Sequence, residues 1–535
     1  MQKTSVTFRR SLLALAIAAA STGALAAGNA VLAIGGQPET LDPYNTNTTL
    51  TTAVTKTFYE GLFEFDKDLK VKNVLAESYE MSKDGLVYTF KLRQGVKFHD
   101  GTDFNAAAAK ANLDRVMNPE NRLLRATQFN RIAKVEAVNP QTLRVTLKEP
   151  FAPFINSLAH ASAAMISPAA LQKWGNKDIA FHPVGTGPFV YDDYKVNESF
   201  TMKKNADYWN QPYPYLDSIE FRPIQDALSR RDALVSGTID ILHSSNGQTI
   251  ADARDTTDYK MTEITNNGET AYTLLHVTQT LADGSPSPLT DQRVRCALAY
   301  ASDEQLLIDT IGAGVNQISF GPFSPTQVGY LEHTGFPEAQ DMAKAQELIA
   351  AYKAEHPGKL TLSLATTTDQ TNLTIAQQQQ QWWTEAGFDE VTIDQIDQAA
   401  YILTAAVGNF QVFQWRNHGG FDLDMQYHWW HSSASKPVGE LALNFGRIRD
   451  DQLDALLEEN RASDDPVRKK EIAEEVNRLF GTQCYNIWGS YTIWGIMYKN
   501  NVHGPTTFAL PDGKNVAFGA GFAGTFYAMD LWVDQ

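Results

Sequence analysis

Between Asp341 and Trp415 the chain alternates helical and extended patterns, and this alternation restricts the fold more than any other feature. Asp341 to Glu355 carries helical spacing and is closed by His356-Pro357-Gly358. Leu360 to Leu364 reads as a strand, Thr374 to Ala386 as a helix and Val391 to Ile396 as a strand. Ala399 to Ala406 reads as a helix and Phe410 to Trp415 as a strand. Parallel strands cannot be joined by a tight turn, so a β-α-β-α-β series implies a parallel sheet with right-handed crossovers. The class is therefore α/β. Earlier, Ala30 to Ile34 reads as a buried strand, Ser218 to Pro223 as a strand, Asp226 to Ser236 as a helix and Ile239 to Leu242 as a strand. Later, Asp451 to Arg461 and Pro466 to Phe480 read as helices. At 535 residues, with ~100–200 residues per domain, about three domains are expected.

A different pattern occupies Ser82 to Gly101. Asp84-Gly85 signals a turn, since glycine supplies the positive φ that tight turns need. Leu86, Tyr88, Phe90 and Leu92 alternate with Val87, Thr89, Lys91 and Arg93, which places the first set on one face of a strand. Gln94-Gly95 allows a reversal, Val96 and Phe98 resume the apolar face, and Asp100-Gly101 closes a hairpin. Downstream, Asn105 is positioned to cap an Ala-rich helix to Met117, and strands are expected at Val135–Val138 and Thr142–Leu147.

The wording of this stretch, Asp-Gly-x-x-Tyr-x-Phe-x-Leu-Arg followed by Gly-Val-Lys-Phe-His-Asp-Gly, resembles the signature of the bacterial extracellular solute-binding proteins of family 5. These are the dipeptide-, oligopeptide- and nickel-binding receptors of ABC importers. Leu41-Asp42-Pro43, Tyr59-Glu60-Gly61-Leu62 and Leu75-Ala76-Glu77-Ser78 precede it at the family's spacing. Pro183-Val184-Gly185-Thr186-Gly187-Pro188-Phe189, Asn205-Ala206-Asp207-Tyr208-Trp209 and Val294 to Ala301 follow. The resemblance implies a two-lobed periplasmic-binding-protein fold (a type II, cluster C-like flytrap) with an extra inserted subdomain. One lobe would use 28–59, 184–275 and 491–535, with 60–183 inserted into it. The second would use 276–490, with hinges near His276 and Ser490. The implied function is to bind a short peptide or peptide-like solute by hinge closure and deliver it to an inner-membrane ABC permease. An exported hydrolase, or a receptor for a metal complex or other non-peptide solute, is the alternative.

Net charge is −17. An acidic field opposes binding of nucleic-acid phosphates, so no nucleic-acid partner is expected. The first 26 residues read as a cleavable signal peptide: Lys3, Arg9 and Arg10, an apolar core from Leu12 to Ala20, and the small-x-small site Ala24-Leu25-Ala26. The core falls short of the ~20 apolar residues of a membrane span. A monomer in the periplasm is expected. Cys296 and Cys484 either pair in that oxidising compartment or stay as two buried thiols.

Catalytic motifs are absent, and no cofactor is implied. Gly519-Ala520-Gly521-Phe522-Ala523-Gly524 fits G-x-G-x-x-G, but only Thr525 to Gln535 follow, too little for a dinucleotide unit; it reads as a glycine-rich loop. His428 and His431 could share a helix face, with His418 or Asp424 as the only neighbours able to add a ligand, so no metal site is expected.

The candidate ligand site is Trp415-Arg416-Asn417-His418, with Asp422 after the glycines, where the last strand of the parallel series empties into a loop. Ligands of open α/β sheets gather at such carboxyl ends. Trp415 can wall an apolar pocket, Arg416 can clamp a carboxylate, and Asn417 and His418 can donate or accept. Alternatively, Arg416 pairs with Asp422 as an interlobe salt bridge. By resemblance, His418 stands where dipeptide-binding relatives carry the Asp that grips the ligand ammonium, and Asp422-Leu423-Asp424 resembles their later Asp-Pro-Asp. The loop carrying Thr46 and Asn47 would reach the ligand's backbone from the other lobe.

Overall fold

The computed structural model describes residues 28–38, 40–45, 49–65, 70–151, 153–160, 163–265, 269–281, 284–417, 423–463, 465–504, 507–509, 515–517 and 528–534. The expected signal peptide and the loop Gly519–Gly524 lie outside them.

Three larger sheets organise the described chain. In the seven-stranded sheet, Asn29–Ile34 is parallel to Ser218–Pro223 on one side and Ile241–Ser244 on the other. Ser199–Lys204 and Phe189–Lys195 extend it one way, Trp494–Lys499 and Tyr259–Ile264 the other, all antiparallel. The six-stranded sheet runs Gln317–Ile318, Asn486–Tyr491, Thr270–Leu275, Val412–Asn417, Thr361–Thr367, Glu390–Ile396. Its last three strands are parallel, joined by helices Gln370–Ala386 and Gln398–Val407, as the alternating pattern requires. Strand Thr361–Thr367 is buried along nearly its whole length because helices cover its sheet.

The four-stranded antiparallel sheet, Ala76–Met81, Val87–Leu92, Thr142–Leu147 and Ile132–Asn139 in spatial order, comes from the inserted segment. Tyr88, Phe90 and Leu92 are buried, as the period of two demands, and Tyr88 meets Phe154 edge-on at 4.8 Å between centroids. The expected hairpin is half right. Asp84-Gly85 does turn the chain, but it joins Val87–Leu92 to the strand before it. Val96 and Phe98 are buried without forming a strand, and a single bridge, Lys97 to Asp103, follows. The edge that Val96–Phe98 would have needed is taken by Thr142–Leu147.

The short motifs of the first half converge on one carboxyl. Glu60, from Tyr59-Glu60-Gly61-Leu62, is buried and accepts hydrogen bonds from Thr186 Oγ1 (2.8 Å), Tyr208 OH (2.7 Å) and Trp209 Nε1 (2.9 Å). Burial pushes its pKa up to about 7, against the pull of those donors. Gly185 and Gly187 flank Thr186 because a Cβ there would sit 1.9 Å and 2.6 Å from backbone atoms of Phe58. Asp42, from Leu41-Asp42-Pro43, is fully buried and takes both terminal nitrogens of Arg115, at 3.2 and 2.5 Å, from helix Ala106–Met117. That pair fixes the loop after the first strand against the inserted subdomain.

Cys296 and Cys484 form a disulfide across 188 residues of sequence, which resolves the alternative between paired and free thiols. One boundary needs correction. Strand Thr270–Leu275, expected with the first lobe, pairs with Val412–Asn417 and Asn486–Tyr491 in the six-stranded sheet. The chain therefore passes between sheets before Thr270, and again between Tyr491 and Trp494, while His276 packs at the far end of its strand against Phe410.

Truncating Glu60 strands three donors, the buried Thr186 and Tyr208 hydroxyls and the half-buried Trp209 N–H, each worth ~1–3 kcal/mol where buried. Glu60→Ala should lower the unfolding free energy by roughly 3 kcal/mol or more and Glu60→Gln by less, read from urea titrations. Equal stability of Glu60→Ala and the parent would contradict this account of the motifs.

Candidate ligand-binding site

A cavity of about 420 Å³ lies between the seven- and six-stranded sheets, walled by residues from both. It collects the carboxyl ends of the parallel strands and the amino ends of the helices that follow them. Three of those helices are capped at its rim: Asp226 bonds Ser229 N, Asn246 bonds Thr249 N, and Asp369 bonds Thr371 N and Asn372 N. Helix amino ends carry partial positive charge, which the Asp226 and Asp369 carboxylates meet at two of these ends and the neutral Asn246 leaves at the third.

Trp415 and Arg416 both line the cavity, as the sequence predicts. Trp415 is held by aromatic packing, edge-on to Phe445 with centroids 5.2 Å apart and near-parallel to Tyr401 at 6.1 Å. Arg416 is partly exposed. Its Nη1 donates to Ser245 Oγ (2.5 Å) from the opposite sheet and lies 3.7 Å from Glu269 Oε1, and its guanidinium sits 5.3 Å from the Trp494 ring. Asn417 ends the strand, pairing with Thr270. Thr46, Asn47, His418 and Asp422 lie outside the described residues. Asp424 is not at the cavity: it is buried in an ion pair with Arg461.

The sequence did not point to the rest of the wall. Arg230 is buried and donates from Nη1 to the carbonyls of Ile224 (2.5 Å) and Gln225 (2.8 Å), while its Nε has no partner. Burial and the nearby Arg416 charge lower its pKa to about 10. Behind the wall, and not itself lining this cavity, His243 stacks on Trp494 at 4.0 Å; burial and the fields of Arg230 and Arg416 hold it neutral, with a pKa near 3. Glu304 also lines the cavity. Burial pushes its carboxyl up to about 8 despite a bond from Gln379, and its Oε1 is unpartnered. Gln379 in turn donates to Thr273 Oγ1 (2.8 Å). One signal was available for part of this wall. His243-Ser244-Ser245-Asn246-Gly247 repeats, on the other sheet, the strand-end-to-glycine pattern of Trp415-Arg416-Asn417-His418-Gly419.

His428 and His431 serve separate contacts. His428 Nε2 lies 3.3 Å from Arg125 Nη1, and His431 Nδ1 lies 2.8 Å from Ser433 Oγ. Among the described residues no group of three or more His, Cys, Asp or Glu is placed to hold a metal ion.

The family model for bacterial extracellular solute-binding proteins, family 5, matches residues 70–438. The chain belongs to this family. This family 5 protein is 45% identical over 337 residues to the glutathione-binding protein GsiB of Salmonella typhi, an alignment covering 63% of this chain and 64% of that relative. The matched segment thus falls just short of two thirds of the relative's length. Among solved structures it is similar to AgaA of A. tumefaciens R10, in complex with agropinic acid (TM-score 0.82, 25% identity, covering 95% of this chain and 99% of that one). It shares its fold with DppA of Helicobacter pylori in complex with the peptide STSA (TM-score 0.83, 22% identity, covering 95% and 99%). The architecture is the two-lobed periplasmic-binding-protein fold with an inserted subdomain. No described helix is long and apolar enough to cross a membrane.

Glu304 generates a pH prediction. Its folded pKa, about 8, exceeds the ordinary value of 4.5. As pH rises from ~4.5 to ~8 the unfolded chain loses this proton while the folded protein keeps it, so stability falls across that window and levels off above it. Glu304→Gln should remove this component. The stability gained by Glu304→Gln over the parent, from chemical denaturation without ligand, should grow from pH 5 to pH 8; a constant difference would show an ordinary carboxyl.

Proposed function

We propose that this protein is the exported receptor of an ABC importer, and that it closes its two lobes on a short peptide or peptide-like solute. The observation carrying this reading is a cavity shared by two sheets, with Arg416 and Trp415 at its wall. Its ~420 Å³ falls within the ~300–1,000 Å³ of small-molecule sites. Family membership and the similarity to a glutathione-binding protein support the ligand class. We divide the chain into one lobe of 28–59, 184–264 and the segment from 494 onward, the insertion 60–183, and a second lobe of 270–491.

The mechanism needs no covalent chemistry, so the protein is not an enzyme on this reading. A solute that touches both lobes binds the closed state more tightly and shifts the hinge equilibrium toward it. Contacts between the sheets mark the closed arrangement: Arg416 to Ser245, Asn246 Nδ2 to Thr371 Oγ1 (3.5 Å) and Gln225 Nε2 to Asp397 Oδ2 (3.4 Å). The closed surface would then be read by the inner-membrane permease, with the receptor acting as a periplasmic monomer. Export would remove the first 26 residues and leave a mature end near Ala27.

In this mechanism Arg416 anchors a carboxylate of the solute and Trp415 packs against its body; Thr46, Asn47, Asn417, His418 and Asp422 complete the proposed contact set. Removing one partner of a buried charge pair costs ~3–5 kcal/mol, and each 1.4 kcal/mol is tenfold in affinity. Arg416 keeps some exposure, so Arg416→Ala is expected at the lower end, about a hundredfold weaker. Arg416→Lys should rescue only partly, because an ammonium lacks the planar fork. Thermal-shift screening of di- to pentapeptides finds the ligand, and calorimetry on the variants reads the change. Unchanged affinity in Arg416→Ala, with lost folding stability, would make Arg416 a structural link to Ser245 and Glu269.

A further inference from the structure

We infer that Arg230 is a second anion-gripping residue in the cavity, so that the receptor selects solutes carrying two separate carboxylates, one for Arg230 and one for Arg416. This rests on the reading of the cavity as a peptide-type site and narrows it.

Arg230 enters from the opposite sheet to Arg416. It stands in the first turn of helix Ala227–Val235, which follows strand Ser218–Pro223, and its guanidinium lies against Gly35 at the end of the neighbouring strand. A buried guanidinium normally has a carboxylate partner, because an unpaired buried charge is costly. Arg230 is 7% exposed, yet among the described residues no carboxylate oxygen lies within the 4.0 Å of an ion pair. Two backbone carbonyls occupy Nη1, and Nε, enclosed by the protein, has no partner, while the residue itself lines the cavity.

The acids that face it are already engaged. Asp226 and Asp369, whose charges favour the ionised Arg230, each cap a helix. Glu269 accepts from Trp494 and faces Arg416. The Arg416 charge meanwhile disfavours that of Arg230, and both keep His243 neutral. Two cations facing one cavity from opposite sheets repel as the lobes approach. An anionic group at each removes that repulsion, so a solute with two carboxylates gains most from closure. A peptide with a single carboxylate leaves one guanidinium unpaired.

Matched pairs of probes test this by calorimetry: reduced glutathione against its glycine monoethyl ester, and Ala-Ala-Glu against Ala-Ala-Gln. Each pair differs by one carboxylate. The parent protein should prefer the two-carboxylate member of a pair by about tenfold or more. Arg230→Gln should collapse that preference to less than about threefold by weakening the two-carboxylate member selectively, and Arg230→Lys should keep part of it. Circular dichroism melts confirm that both variants fold. Equal affinity of the parent for both members of a binding pair, or an Arg230→Gln loss that is the same for both, would assign Arg230 to holding the Ile224–Gln225 backbone and overturn the inference. If neither pair binds while a solute of another class does, the peptide reading fails and this inference with it; if other peptides with one carboxylate bind tightest, only this inference fails.

Discussion

Glu269 sits where the chain passes from one sheet to the other, and the arrangement of the two lobes depends on what it holds. Its backbone carbonyl accepts from Thr492 N (2.8 Å), which ties the two crossing segments side by side. Its carboxyl accepts from Trp494 Nε1 (2.5 Å) on the second crossing and faces Arg416 in the cavity. Burial raises its pKa while Arg416 and Trp494 pull it back. The carboxyl that links the crossings is thus also the one that orients the cavity's partly exposed cation. A solute that draws Arg416 away from Glu269 acts on the hinge and the site together.

Beside the crossings the two bodies also meet in a small apolar cluster, where Ala313 and Val315 pack with Leu234, Ile239, Leu242 and Met497. The seven-stranded sheet shares a continuous core with the inserted subdomain, through Phe58, Phe63, Phe90 and Phe200, while Trp383, Trp488 and Phe480 belong to a separate core under the six-stranded sheet. Separate main cores move as bodies, joined by that apolar cluster near the crossings and by polar contacts across the cavity. Gly247 marks how closely backbones approach: a Cβ there would lie 2.0 Å from the carbonyl oxygen of Gly312.

What the sequence made legible was local. Periodicity located Thr361–Thr367, Glu390–Ile396 and Val412–Asn417, and capping chemistry located the start at Asn105, because both signals are written within a few residues. Trp415 and Arg416 were found because a strand end in a parallel sheet is a place that sequence order can specify. What stayed hidden depends on distant partners. Strand Thr270–Leu275 has no local mark of which sheet it joins; Asn486–Tyr491, over two hundred residues on, decides it. Arg230 and Glu304 look like ordinary helix-surface charges until packing encloses them, and only the fold reveals that neither has an ionic partner among the described residues. Val96 and Phe98 alternate as a strand would, yet burial without pairing satisfies the same pattern.

The central claim is that a small solute is enclosed between the two sheets, and amide hydrogen exchange tests it directly. Exchange would be compared without solute and at saturation with the peptide that stabilises the protein most. The account predicts slowed exchange in two separated stretches of one sheet, around 225–230 and 245–249, and in facing stretches of the other, around 270–273 and 412–416. Slowed exchange confined to one sheet, or lying on a surface away from the cavity, would contradict it.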